Sequence, residues 1–362
     1  MNAPPFPRPY PGGPRVGRTL TTPQDLVSHG FAPPEALPGL EAVAGRYTVA
    51  LTPALAALAD AADPADPIAR QFVPDARELV RLPEEREDPI GDEARSPVPG
   101  LVHRYPDRVL LKLAQVCAVY CRFCFRREMV GPGTRAMLAP AELEAALAYI
   151  RADPAIWEVI VTGGDPLVLA PRRLAETVAA LDAIDHVRIL RWHTRLPVAA
   201  PDRMTPELVA ALTGTRKSVY VAVHANHPRE LTRDMRAACD SLLAAGATLV
   251  SQTVLLRGVN DDVETLAALM RGFVEARIRP YYLHHADLAP GTAHWRVSLD
   301  EGRALVAALR GRVSGLCQPH YVLDLPGGYG KAPVGPDRLG ADGRVQDHEG
   351  RWHAYPPQPD GD

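Results

Sequence analysis

The sequence predicts an α/β fold: a parallel sheet covered by helices, open or closed as a partial barrel, with a mostly helical N-terminal extension and a short irregular C-terminal tail. Three observations predict it. From about Leu101, short apolar β-branched runs alternate with longer amphipathic stretches. The alternation forms six strand–helix units in series. Polar residues gather at the C-terminal ends of the runs, where parallel sheets and barrels build their sites. The 362 residues fit one large domain with appendages, or two domains.

In chain order, residues 1–18 are rich in Pro and Gly and read as a disordered leader. They lack the apolar segment of a signal peptide or membrane span. Residues 19–100 read as a helical extension and connector. Thr22–His29 and Pro53–Ala62 have helical composition, with Thr22 and Thr52 as N-caps. Pro83–Pro99, rich in Pro, Glu and Asp, reads as extended.

Residues 101–315 form the barrel region. The predicted strands are Arg108–Gln115, Trp157–Thr162, His186–His193, Ser218–His224, Thr248–Leu255 and Arg279–His284, with Tyr321–Leu325 last. The predicted helices are Pro140–Arg151, Pro171–Leu181, Pro206–Leu212, Leu231–Ala245, Asp262–Ala276 and Ser298–Gly311. In the first of these, Leu143, Leu147 and Ile150 recur at helical spacing and Pro140 suits the first turn. Residues 316–362 form the tail, which looks loosely structured from about Lys331.

Composition narrows the function. Hydrophobic residues make up 46% and the formal charge is −3, so no basic face points to nucleic acid and no long apolar run to a membrane. Five cysteines, three of them within eight residues, are no disulfide framework; they fit a cytoplasmic protein with a metal or cluster site.

That site is Cys117-Ala-Val-Tyr-Cys121-Arg-Phe-Cys124-Phe-Arg-Arg. Three thiolates at this spacing can each take one iron of a four-iron cluster and leave the fourth iron open to a small molecule. A structural zinc site would need a fourth ligand, and no Cys or His follows at zinc-ribbon spacing. Buried, unligated cysteines are the remaining reading, against which stand the flanking Arg122, Arg126 and Arg127. After the second strand comes Gly163-Gly164-Asp165, where glycines allow close backbone approach and a carboxylate can accept from an ammonium. Alone, that tripeptide is more often a turn.

The Cys-x-x-x-Cys-x-x-Cys loop after the first strand of a six-unit β/α array resembles the radical S-adenosylmethionine superfamily. The resemblance implies a partial (β/α)6 barrel of radical SAM type. It implies a [4Fe–4S] cluster on Cys117, Cys121 and Cys124, and S-adenosylmethionine held by Gly163, Gly164, Asp165, Arg195 and His224. Further segments are similar to the lysine 2,3-aminomutase family: Tyr105-Pro-Asp-Arg108-Val-Leu-Leu, Asn226-His-Pro, Gln252-Thr-Val-Leu-Leu-Arg-Gly-Val-Asn260, Asp287-Leu-Ala-Pro-Gly and Asp324-Leu-Pro-Gly-Gly-Tyr-Gly-Lys331. They span residues 103–333 in order.

This closer resemblance implies pyridoxal 5′-phosphate bound through Lys331, the catalytic lysine, with Arg104, Arg108 and Gln252 around it; guanidinium forks suit phosphate oxygens. Without the resemblance, Lys331 reads as a surface lysine in a turn. Arg126 falls on the position that holds a substrate carboxylate, and Asp287 and Asp324 on the pair that holds a distal ammonium. Two carboxylates in one pocket repel unless a cation lies between them. The implied reaction is therefore an amino-acid 2,3-aminomutation, L-lysine to β-lysine first, with arginine or ornithine next. Alternatives are β-lysine formation for elongation factor P and a non-catalytic iron–sulfur electron carrier. The implied partners are a small amino acid and a reductase, flavodoxin or ferredoxin donor, with a homo-oligomer possible. The sequence departs from the family in having Asp262 where a cysteine is expected, no cysteine after Cys317, and Tyr329 in place of a glycine.

Overall fold

A computed structural model describes residues 13–131 and 135–356. The leader predicted over 1–18 lies outside the described residues as far as residue 12, and residues 13–18 hold no helix or strand.

Nine strands form one sheet, in chain order from edge to edge. They are β1 (Leu101–Tyr105), β2 (Arg108–Ala114), β3 (Glu158–Gly163), β4 (Ile189–Thr194), β5 (Ser218–His224), β6 (Thr248–Leu255), β7 (Arg279–His285), β8 (His320–Leu325) and β9 (Gly330–Pro333). From β2 to β8 every pairing is parallel. The flanking β1 and β9 are antiparallel to their neighbours. Helices Pro140–Ala152, Pro171–Asp182, Pro206–Thr213, Arg233–Ala244, Val263–Glu275 and Leu299–Leu309 return the chain between the parallel strands. These are the six predicted β/α units. The two sheet edges meet through a side chain: the Tyr105 hydroxyl at the end of β1 accepts from the Lys331 amide of β9 at 2.6 Å.

The helices start where their caps dictate. Thr205, Thr232, Asp262 and Ser298 each accept from a backbone N–H of the following first turn, satisfying a donor that has no partner within the helix. Asp262, the departure from an expected cysteine, is thus a helix cap. Strands buried on both faces read as continuous apolar runs; Val159, Val161, Leu190, Trp192, Val221 and Val223 are fully or almost fully buried.

Four differences from the sequence reading bear on the site. First, the N-terminal extension shares the barrel's core: Leu20, Leu26, Leu55, Ile68 and Phe72 pack in one cluster with Leu111 and Val161. Second, Thr22 caps its helix with a capping box, whereas the Thr52 hydroxyl donates to the Ala199 carbonyl instead of capping. Third, the 83–99 connector is folded against the barrel, not extended: the Arg86 amide donates to the Leu288 carbonyl at 2.9 Å and the Gly291 amide to Glu85 at 2.9 Å. Fourth, Lys331 lies within strand β9, opposite Asp324 of β8, so the loose tail begins after it. No helix among the described residues is long and apolar enough to cross a membrane.

Candidate active site in the barrel cavity

A cavity of about 240 Å³ runs through the barrel interior. Arg108, the first residue of β2, and Cys117, just past its last, both line it. So do Cys121, Cys124, Arg126, Gly163, Gly164, Asp165, Arg195, His224, Gln252, Asp287, Asp324, Lys331 and Arg104, so the fold brings every residue expected to hold the cluster, S-adenosylmethionine, pyridoxal phosphate or substrate to one space.

The cysteine loop is fixed by its neighbours. The Gly164 and Asp165 amides donate to the Ala114 and Val116 carbonyls at 2.7 and 2.9 Å. A Cβ on Gly163 or Gly164 would collide with those carbonyls, and Gly163 has φ +120°. The two glycines therefore let β3 approach the cysteine loop. Asp165 is held as well. Its carboxylate accepts from the Thr194 hydroxyl (2.8 and 2.9 Å), the Arg195 amide (2.8 Å) and the Leu167 amide (3.1 Å). These donors brace the carboxylate on the next strand end, while Asp165 still lines the cavity.

Burial pushes up the thiols of Cys117 and Cys124, the latter to about 11, and the other cysteines push the same way. Arg195, read as a contact for S-adenosylmethionine, donates to Cys121 Sγ at 3.2 Å, to Gln71 at 2.7 Å and to Glu230 at 2.5 Å. Among the described residues no three acids, cysteines or histidines converge on a single metal ion; a cluster does not ask them to, because each thiolate takes its own iron.

The acids and bases deeper in the cavity form a coupled set. Lys331 Nζ donates to both oxygens of Asp324, at 2.7 and 2.6 Å. His284 Nδ1 lies 3.4 Å from the same carboxylate. Burial works against ionised Asp324, but His284 and Lys331 outweigh it and hold the acid well below its usual range. In Asp287, Oδ1 is buried without a hydrogen bond among the described residues. Burial, and then the charge of Asp324, push Asp287 up to about 8. His224, 6.0 Å from His193 between ring centres, is driven down to about 3, first by burial, and is neutral.

Three residues of the N-terminal extension hold the arginines of this wall, and the sequence reading named none of them. Gln71 meets Arg195. Glu78, fully buried, receives Arg122 at 2.6 Å and also Arg127. Asp92, 1% exposed, receives Arg126 at 2.9 Å and Arg104 at 3.1 Å. Arg126 therefore does not present an open side-on fork: its Nε and Nη2 face Asp92, and Nη1 lies 3.5 Å from Thr162. Its end-on edge remains for a carboxylate. Arg108 stacks on Tyr105 at 3.8 Å and donates to Asp107. These ion pairs join residues 12 to 49 positions apart. The only trace of them in sequence is the acidic character of the connector.

The Radical SAM superfamily model matches residues 111–270, which hold the cysteine loop and the strands β3–β6. The L-lysine 2,3-aminomutase of Acetoanaerobium sticklandii is 39% identical over 323 residues, 89% of this chain and 78% of that protein. The L-lysine 2,3-aminomutase of Clostridium subterminale is 43% identical over 290 residues, 80% and 69%. That of Escherichia coli K12 is 38% identical over 271 residues, 75% and 78%. A radical SAM methyltransferase of Sphaerobacter thermophilus has a TM-score of 0.43 at 20% identity, over 62% of this chain and 68% of that one.

Fold and cysteine loop make this a radical SAM protein. More narrowly, the chain belongs to the lysine 2,3-aminomutase family and is an isomerase. Membership implies a [4Fe–4S] cluster, S-adenosylmethionine and pyridoxal phosphate. The residues present fit them. Three thiols share one short loop. Lys331 offers a partly shielded primary amine (26% exposed). Arg104 keeps a buried Nε with no partner among the described residues, a donor left over for an anion.

Proposed function

We propose that the chain is a pyridoxal phosphate-dependent 2,3-aminomutase that converts L-lysine to β-lysine, in the cytoplasm and with electrons from a small reductant protein. The observation that carries the choice of substrate is the contact of Lys331 with Asp324: one acid of the pair already accepts a primary alkylammonium, the chain's own. A lysine substrate presents the same group at its distal end.

When bound, the cluster with S-adenosylmethionine supplies a carbon-centred radical, and pyridoxal phosphate supplies an imine for the migrating nitrogen. The protein contributes position and exclusion. Arg126 offers its end-on edge to the substrate carboxylate, beside the cysteine loop. Asp324 and Asp287 take the distal ammonium, which fixes the amino acid at both ends and so holds C3 in place. Arg104 and Arg108 seat the phosphate. Phe123, Phe125, Val254 and Ile160 on the cavity wall keep water from the reacting carbons. Asp287, raised to about 8, holds a proton and gives it up when an ammonium arrives.

Borohydride reduction of the pyridoxal phosphate-loaded protein, followed by peptide mapping, tests the cofactor assignment. The label belongs on Lys331. Label on other lysines only, or none, rules out the role given to it.

A further inference from the structure

We infer that Asp92 is a positioning residue that fixes Arg104 and Arg126 relative to one another, and so links the seat of the cofactor phosphate to the seat of the substrate carboxylate. The inference rests on the function proposed above and adds to it a residue outside the cavity.

Asp92 lines no part of the cavity; it stands behind the two arginines, 1% exposed. One oxygen, Oδ2, receives Nε and Nη2 of Arg126 at 3.1 and 2.9 Å. The other, Oδ1, receives Nη2 of Arg104 at 3.1 Å. Each oxygen thus holds one guanidinium, and a single rigid carboxylate sets their separation. The two arginines come from different places, β1 and the cysteine loop, so no backbone element fixes that separation.

Asp92 is itself held. Its amide donates to Asp88 Oδ1 at 2.8 Å, the Glu93 amide to Asp88 Oδ2 at 2.8 Å, and its carbonyl accepts from the Ser96 hydroxyl at 2.9 Å. Arg104 also donates to the Ile90 carbonyl at 2.9 Å. Burial would raise the Asp92 pKa, but Arg126, with Lys112 and Arg104, outweighs it and keeps the carboxylate ionised. Each guanidinium keeps a nitrogen that Asp92 does not use: Nη1 of Arg104 lies 3.9 Å from Asp324 and Nη1 of Arg126 lies 3.5 Å from Thr162, both residues of the cavity wall. Freed of Asp92, both side chains would regain rotamer freedom and would have to be ordered again on binding.

The test is equilibrium binding by the reconstituted full chain and its Asp92→Asn and Asp92→Glu variants. Pyridoxal phosphate is followed by absorbance and L-lysine by KM and kcat, with iron per chain measured in parallel. Asp92→Asn is expected to weaken both ligands together, each by about tenfold, the scale of a lost charge-assisted hydrogen bond, with kcat changing less than KM and iron content unchanged. Asp92→Glu, which keeps the charge, is expected to fall between. Unchanged or tighter binding in Asp92→Asn overturns the inference, since the carboxylate would then merely compete for the guanidiniums. A drop confined to iron or soluble yield, with normal constants in the folded fraction, also overturns it. If the unaltered chain binds no pyridoxal phosphate, the function proposed above fails, and this inference with it.

Discussion

At the scale of single residues, the site's central tension is between Asp287 and Asp324, two buried acids, with Lys331 and Arg104 standing on the Asp324 side at 2.6 and 3.9 Å. Two carboxylates this close cannot both ionise without a counter-charge. Asp324 has Lys331; Asp287 is left protonated up to a pH of about 8. An incoming ammonium favours ionised Asp287, so lysine binding should release a proton below that pH. Apparent lysine affinity should therefore rise from pH 6 to about 8 and then level, and Asp287→Asn should flatten the rise; calorimetry in buffers of different ionisation enthalpy measures the proton directly. The same shift has a consequence for stability. An acid whose folded-state pKa is raised binds more protons folded than unfolded between about pH 4 and 8, so its contribution to stability is lost as pH rises through that window. Asp287→Asn should accordingly raise the melting temperature of the ligand-free protein more at pH 8.5 than at pH 5. The two aspartates were legible in the sequence through motifs. Their pairing with Lys331 was not, because it depends on β9 lying antiparallel to β8 and putting residue 331 opposite residue 324.

At the scale of elements, the cysteine loop is a loop only in name. Its backbone is tied to the N-terminal extension by the Arg122 amide, which donates to the Gln71 carbonyl at 2.8 Å. Its Arg122 and Arg127 converge on Glu78 in the short helical turn Ala76–Leu79. Removing one partner of a buried ion pair leaves an uncompensated charge, at a cost of about 3–5 kcal/mol. Glu78→Gln should lower the unfolding free energy measured in urea by an amount in that range and reduce iron per chain after reconstitution. Unchanged stability and iron content would mean that the extension is only a cover. The parallel strands were readable because strands buried on both faces show as plain apolar runs, as in Val159–Val161 and Val219–Val223. β9 was not, since Gly330-Lys331-Ala332-Pro333 carries no β-branched residue and follows a glycine-rich turn.

For the whole molecule, extension and barrel act as one body around one cavity. The extension contributes Gln71, Glu78 and Asp92, the barrel strands contribute the acids and histidines, and β9 brings Lys331 to the Tyr105 hydroxyl, where the two edges of the sheet meet. The order of strands and the chemistry at their ends followed from local patterns. The contacts of the extension did not, because ion pairs spanning tens of residues leave no local pattern. The central claim is that this cavity selects an amino acid with a carboxylate at one end and an ammonium at the other and moves its α-nitrogen to C3. The most direct measurement is anaerobic turnover of the reconstituted chain with dithionite, S-adenosylmethionine, pyridoxal phosphate and, separately, L-lysine, arginine, ornithine and glutamate, with products identified by carbon-13 NMR. The account predicts β-lysine from lysine as the fastest conversion, and its loss in Asp287→Asn and Asp324→Asn. Conversion of glutamate alone would contradict the roles given to both aspartates, and no 5′-deoxyadenosine with any amino acid would contradict the radical chemistry itself.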